Sequence, residues 1–338
     1  MGRDRKTSRD EVQALVDLRL RHLVDVREPL VLVSHDGRSG GTLVNQLLDG
    51  HPDLHSHPYE LEIQQREPGW PVLDLADDPH AWFARLAERH VPPSFETGYT
   101  KGCGRDAEIA DERFPFLLPP ALQELLFAEL VARAPVRTQR DVFDRYFASY
   151  FNAWLDNQNL YGGAKRWVVA HRASLTRSRE AREGFFRTYP DGRLIAPVRE
   201  PKAWYASSRR LYPERTSDLD ATIAAWRNAV DETLDAVRTH PGRVIVVPYE
   251  PLVLDTAAVM VKVAVWLGIG DRPSLREPTF NGMPIRPNSS YAIAGHGVRR
   301  EPLTAWQTEL TPDECSRIDA LAGDLHAALV AQAAAIVP

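Results

Sequence analysis

Cysteine is nearly absent. Two occur in 338 residues, Cys103 and Cys315, with no C-x-x-C pair and no disulfide pattern. A disulfide-stapled secreted scaffold is excluded, and a reducing, cytoplasmic setting is expected. No apolar stretch approaches the ~18 residues of a membrane span. The opening MGRDRKTSRDEVQAL is charged and lacks an apolar signal core. A large charge of one sign is also missing. At a net −5 the chain has no global attraction for a nucleic acid polymer or an anionic membrane, so any anion site must be local. Metal-ligand spacing is lacking as well: His51, His55 and His57 cluster between prolines, not at helical spacing, and no metal is expected. There is no internal repeat and no low-complexity segment.

What is present is ordinary globular composition, 43% apolar and 26% charged. Residues 8–26 pattern as an amphipathic helix packing on the outside of the core, so residues 1–28 are set apart as an N-terminal helix. The remainder, 29–338, is expected to be one domain with a mostly helical insertion at about 65–160. Apolar strands are expected at Leu30–Val33, Trp167–Ala170, Arg193–Val198 and Val244–Val247. Helices are expected at about 79–90, 120–132, 141–158, 175–188, after Pro201, at 217–239, 256–267 and 311–334. Residues 52–80 read as a proline-rich loop with short elements, and Thr97–Pro120 as irregular. Short buried strands alternating with helices imply an α/β, three-layer sandwich: a central parallel sheet flanked by helices. Ligands of such sheets bind beyond the carboxyl ends of the strands, where Ser34–Gly41, His171, Arg199 and Tyr249 converge.

The most informative stretch is LVLVSHDGRSGGTLVNQLL, Leu30 to Leu48. A strand runs into a glycine-bearing turn and then a helix starting near Thr42. The unpartnered N–H groups and macrodipole of a helix N-terminus make an anion site. Gly40 and Gly41 permit close backbone approach, and Arg38 adds a fork of donors. The nucleoside-triphosphate loop needs a lysine before the helix hydroxyl, and here Gly41 precedes Thr42. The dinucleotide fingerprint fails on spacing.

A second constellation is Arg199-Glu200-Pro201-Lys202-Ala203-Trp204-Tyr205-Ala206-Ser207. Together with Arg38-Ser39-Gly40-Gly41-Thr42 it resembles the two nucleotide sites of sulfotransferases that use 3′-phosphoadenosine 5′-phosphosulfate (PAPS). Val247-Pro248-Tyr249-Glu250-Pro251-Leu252, Trp266-Leu267-Gly268 and Asn288-Ser289-Ser290-Tyr291 are similar to further stretches of that family. The resemblance spans roughly residues 30–325 and is weak between 65 and 160. It departs at Gly41, where relatives carry a hydroxyl residue, and at Ala170-His171-Arg172, where many bacterial members have a lysine-bearing segment.

The resemblance implies a P-loop-like strand-loop-helix and transfer of a sulfuryl group from PAPS, without a metal, to a hydroxyl or amine of a small-molecule or glycan acceptor. Arg38, Ser39, Gly40, Gly41, Thr42 and Leu43 would hold the phosphosulfate, and Arg38 would stabilise the leaving oxygen. Arg199 and Ser207 would grip the 3′-phosphate. Tyr249 would stack on adenine, and Arg299 and Arg300 would close over the 3′-phosphate. The acceptor's proton would go to Glu60, the preferred base, with Glu62 as its register alternative, or to His171. Tyr59, Trp70, Phe114, Phe116, Tyr146, Tyr150 and Trp154 are either acceptor-pocket wall or core. A P-loop kinase or nucleoside triphosphatase and a catalytically silent nucleotide-binding protein of the same fold are the alternative readings.

Overall fold

The computed structural model describes residues 2–63, 69–100 and 112–336. Cys103 and part of the segment expected to be irregular lie outside these. The chain opens with α1 (Gly2–Arg21), then β1 (Leu30–Val33), α2 (Gly41–Leu48) and β2 (Leu54–Glu60). Next come α3 (Pro79–Leu86), α4 (Val91–Thr97), α5 (Pro120–Arg133) and α6 (Gln139–Ala153). The strand-helix alternation resumes with β3 (Trp167–His171), α7 (Arg179–Thr188), β4 (Arg193–Val198), α8 (Pro201–Leu211), α9 (Leu219–Thr239) and β5 (Val244–Pro248). It ends with α10 (Tyr249–Leu254), α11 (Thr256–Leu267), α12 (Glu301–Thr304) and α13 (Pro312–Ile336). Among the described residues no helix is long and apolar enough to cross a membrane.

Five parallel strands make the sheet, in the order β2-β3-β1-β4-β5. Alternate residues of each strand feed opposite faces, as the period of two requires. Leu30, Leu32, Val168, Ala170 and Leu194 join the side covered by α6 residues such as Phe143, Phe147 and Phe151. Val31, Val33, Val169, Ile195 and Ile245 join Val44, Leu47 and Leu48 of α2 and Met260 and Val263 of α11. That is the three-layer α/β sandwich expected. The sheet order reverses beside β1, which puts the loop after β1 at the crevice such folds use for ligands.

Two expectations are corrected. The first helix stops at Arg21, not residue 26; Val26 is buried on the irregular lead into β1. The proline-rich stretch, expected as a loop with short elements, contains β2, a strand of the main sheet that pairs with β3. Its register with β3 shifts between Ser56 and Glu60, and Pro58 lies in that shift. An edge strand tolerates a residue that cannot donate to the ladder, and the irregularity erases the period-two pattern.

Candidate functional site

A cleft of about 290 Å³ opens over the carboxyl ends of β1, β2 and β3. Its floor is the loop between β1 and α2. Two residues of that loop are left-handed, Arg38 at φ 68° and Gly40 at φ 96°. The turn lets the chain double back, with Ser34 still paired to Ile195 O at 2.8 Å. Trp204 Nε1 donates to Gly37 O at 2.8 Å and holds the outer curve. No side chain caps α2 at Gly40. The first-turn N–H groups of Gly41, Thr42 and Leu43 therefore have no intrahelical acceptor, and all three residues line the cleft.

Two arginines face this helix end. Arg199 is 3% exposed; its Nη1 donates to Arg38 O at 3.4 Å and its Nη2 to Pro302 O at 2.6 Å. Arg38 donates from Nε to Ser207 Oγ at 3.2 Å and from Nη2 to Asn288 O at 3.5 Å. Among the described residues neither has a carboxylate at ion-pair distance. Burial first, and then the neighbouring charge of Arg199, press the Arg38 pKa below the ordinary arginine value. A buried and a half-buried guanidinium group, neither with a carboxylate at ion-pair distance among the described residues, suit an anion. Arg199 Nε and Ser39 Oγ, both buried, have no hydrogen-bond partner among the described residues.

Tyr249 lies between these parts. The Arg199 guanidinium sits 4.8 Å from its ring centroid, and a Cβ on Gly40 would be 2.5 Å from its Cδ2. The ring is 9% exposed and lines the cleft. Burial raises its phenol pKa, and the Arg199 charge opposes this.

Glu60 and His171 end adjacent strands and are direct Cα partners. Both line the cleft. Glu60 Oε1 accepts from Ala173 N at 3.1 Å, which orients the carboxylate. The segment after Glu60 is pinned by Arg172, whose guanidinium donates to the carbonyls of Leu61, Ile63 and Gly69 at 3.0, 2.9 and 2.7 Å. Glu62 does not line the cleft; its side chain is exposed and its N–H donates to Glu88 Oε2 at 3.0 Å.

Of the remaining expected residues, Ser207 is fully buried beneath the cleft, shared between Arg38 and Ser290 Oγ at 2.8 Å. The loop after β1 and the Arg199–Ser207 constellation, separate in the sequence reading, are thus joined by hydrogen bonds from Arg38 to Ser207, from Arg199 to Arg38 O and from Trp204 to Gly37 O. Arg299 lines the cleft and pairs with Glu301. Arg300 points elsewhere: it is exposed and donates to Leu254 O at 3.1 Å. Of the aromatic residues offered as pocket wall or core, five are buried in the core and Tyr59 and Phe114 pack half-buried against it. Phe116 packs on Trp154, Trp70 on Phe143 and Tyr59 on Tyr99, and none of the seven lines the cleft.

Sequence reasoning placed Asn288 in a family-like stretch but gave it no role. Its Nδ2 donates to Thr42 Oγ1 at 3.1 Å while its carbonyl accepts from Arg38. Sequence reasoning missed Glu88, which meets His57 and His90 in a buried group of three metal-capable side chains. The Glu88 carboxylate accepts from His57 Nε2 and Tyr146 Oη at 2.9 Å each and from the Glu62 N–H. Three donors hold it as the anion of a hydrogen-bonded group. His51 and His55, read beside His57 in the sequence, go elsewhere: His51 to Gly270 O at 2.7 Å, His55 onto the Phe151 ring.

A family model described as the sulfotransferase family matches residues 29–273. No curated protein matches the chain. Among solved structures, the sulfotransferase domain of the olefin synthase of Synechococcus PCC 7002 is similar at 18% identity, with 88% of this chain and 97% of that domain covered and a TM-score of 0.50. The sulfotransferase domain from the curacin biosynthetic pathway follows at 17% identity, with coverage of 88% and 98% and a TM-score of 0.45. A sulfotransferase from Alicyclobacillus acidocaldarius is 15% identical, with coverage of 88% and 96% and a TM-score of 0.38.

Proposed function

The chain belongs to the sulfotransferase family, and from that premise we propose that it transfers a sulfuryl group from PAPS to a hydroxyl or amine of a small-molecule or glycan acceptor in the cytoplasm. The observation that carries the choice of donor is the pair Arg38 and Arg199. Both line the cleft at the uncapped start of α2, and neither has a carboxylate at ion-pair distance among the described residues. A ligand with two separated anionic groups suits two guanidinium groups and a helix N-terminus better than a singly charged one. The unpartnered Ser39 Oγ and Arg199 Nε add donors of the right kind.

In the proposed reaction the acceptor oxygen bonds to sulfur as the bond from sulfur to the 5′-phosphate oxygen breaks. The electron pair goes to that oxygen, and 3′,5′-adenosine bisphosphate leaves. Thr42, the first N–H groups of α2 and Arg38 would stabilise the growing charge, a contribution that costs ~3 kcal/mol per lost donor. Glu60, oriented by the Ala173 N–H, would take the acceptor's proton. Tyr249 would bound the adenine, and Arg299 would stand at the rim. No metal is invoked.

The test is thermal stabilisation by 3′,5′-adenosine bisphosphate, compared with Mg²⁺-ATP and NAD. A shift with the bisphosphate alone is expected, and transfer of labelled sulfate from PAPS in an acceptor screen would complete it. Preferential stabilisation by Mg²⁺-ATP would favour a kinase or nucleoside triphosphatase instead.

A further inference from the structure

The imidazole of His171 stands where a side chain at position 41 would stand. A Cβ on Gly41 would overlap His171 Nε2 and lie 2.9 Å from its Cδ2. Gly41 is not among the positive-φ residues, so its backbone conformation does not require glycine. Gly40 differs, having both a left-handed backbone and the Tyr249 ring against it. The reason for glycine at 41 is the ring of His171. That ring is held by the last residue of β3, whose Cα partners are Val33 on one side and Glu60 on the other.

We infer that His171 supplies, from the neighbouring strand, the side-chain donor that the loop lacks at position 41, with its Nε2–H turned to the sulfate or phosphate at the start of α2. The inference rests on the PAPS reading above and assigns His171 to anion binding, leaving the acceptor's proton to Glu60. Position supports that division. Gly41 is the first residue of α2, so Nε2 lies against the positive end of the helix dipole. An imidazole that took up a proton there would place a second charge against that dipole. A neutral ring donating from Nε2 meets no such cost, and a carboxylate that takes a proton becomes neutral.

Calorimetric titration with 3′,5′-adenosine bisphosphate of wild type, Gly41→Ser, His171→Ala, the double variant and His171→Gln tests this, with melting curves to verify folding. His171→Ala should weaken binding ~10-fold, the effect of one lost charge-assisted hydrogen bond. Gly41→Ser should weaken it by displacing the ring. The double variant should bind more tightly than either single one, because the serine hydroxyl then occupies the vacated place. His171→Gln, whose amide can still donate, should bind more tightly than His171→Ala and retain turnover that a lost base would abolish. If Gly41→Ser does not fold alone, folding of the double variant is the expected rescue, and failure of both overturns the inference. Additive losses in the double variant overturn it, as does His171→Ala with unchanged affinity and abolished turnover. Absence of bisphosphate binding by the wild type would instead bring down the nucleotide reading itself.

Discussion

Arg38 Nε donates to Ser207 Oγ at 3.2 Å and, with the bond from Trp204 Nε1 to Gly37 O, ties the loop after β1 to the helix after β4 under the cleft. Arg199 braces the same loop through Arg38 O. Removing either partner should therefore loosen the whole anion site. Arg199→Ala should weaken 3′,5′-adenosine bisphosphate binding by ~10- to 100-fold, the range for lost hydrogen bonds from a charged group. Ser207→Ala removes a neutral partner and should cost ~10-fold or less. Calorimetry reads both. Arg199→Lys keeps the charge without the fork and should recover only part of the loss.

Glu60→Ala should leave bisphosphate affinity near wild type and lower turnover by ~10²- to 10⁴-fold, the contribution of a positioned base. Affinity from calorimetry and kcat from labelled-sulfate transfer separate the two effects. Near-normal turnover would remove Glu60 from the mechanism.

Gly40→Ala should be poorly tolerated. The residue has φ 96°, and the new Cβ would be 2.5 Å from Tyr249 Cδ2. A left-handed alanine costs ~1–2 kcal/mol before any displacement of the ring. Melting temperature and bisphosphate affinity should fall together. Gly37→Ala is the control, since a Cβ there meets nothing within 4 Å.

The buried Glu88 gives the fold an acid-sensitive contribution. Burial pushes its pKa up, but the charges of His57 and His90 and the bonds from His57 and the Glu62 N–H outweigh this and hold it down to about 2 from an ordinary 4.5. A carboxyl with a depressed folded pKa stabilises the protein above its unfolded pKa and loses that contribution as pH falls through the folded one. The melting temperature should thus decline between pH 4.5 and about 2 with a component that Glu88→Gln removes. At neutral pH the same variant should also lower the melting temperature, because a neutral amide replaces the anionic acceptor of the bonds from His57, Tyr146 and the Glu62 N–H. Thermal melts across pH read both, and an unchanged acid limb in Glu88→Gln would refute the assignment.

Legibility in the sequence followed local pattern. The strands β1, β3, β4 and β5 are built on short apolar runs and are readable to within a residue. Pro201 at the start of α8 and Gly268, left-handed at the end of α11, marked helix limits. The edge strand β2 was not readable. It contains Pro58, two histidines and a shift of register, so nothing in it alternates. The site was half readable for the same reason. Arg38, Gly40, Thr42 and Arg199 stand in recognisable spacing, and all line the cleft. Arg172 and Asn288 act through contacts with segments remote in the chain, and no spacing announces them.

By itself, the sequence determined a parallel α/β core and an anion-binding turn, because burial on both faces and glycine-rich chain reversal leave local marks. Which residues meet was decided by the tertiary structure alone. In a parallel sheet the neighbours of a strand come from distant segments. β1 therefore lies beside β3, and His171 is set against Gly41 while standing next to Glu60. The missing hydroxyl at position 41, a departure when read along the chain, is in three dimensions the room that an imidazole occupies.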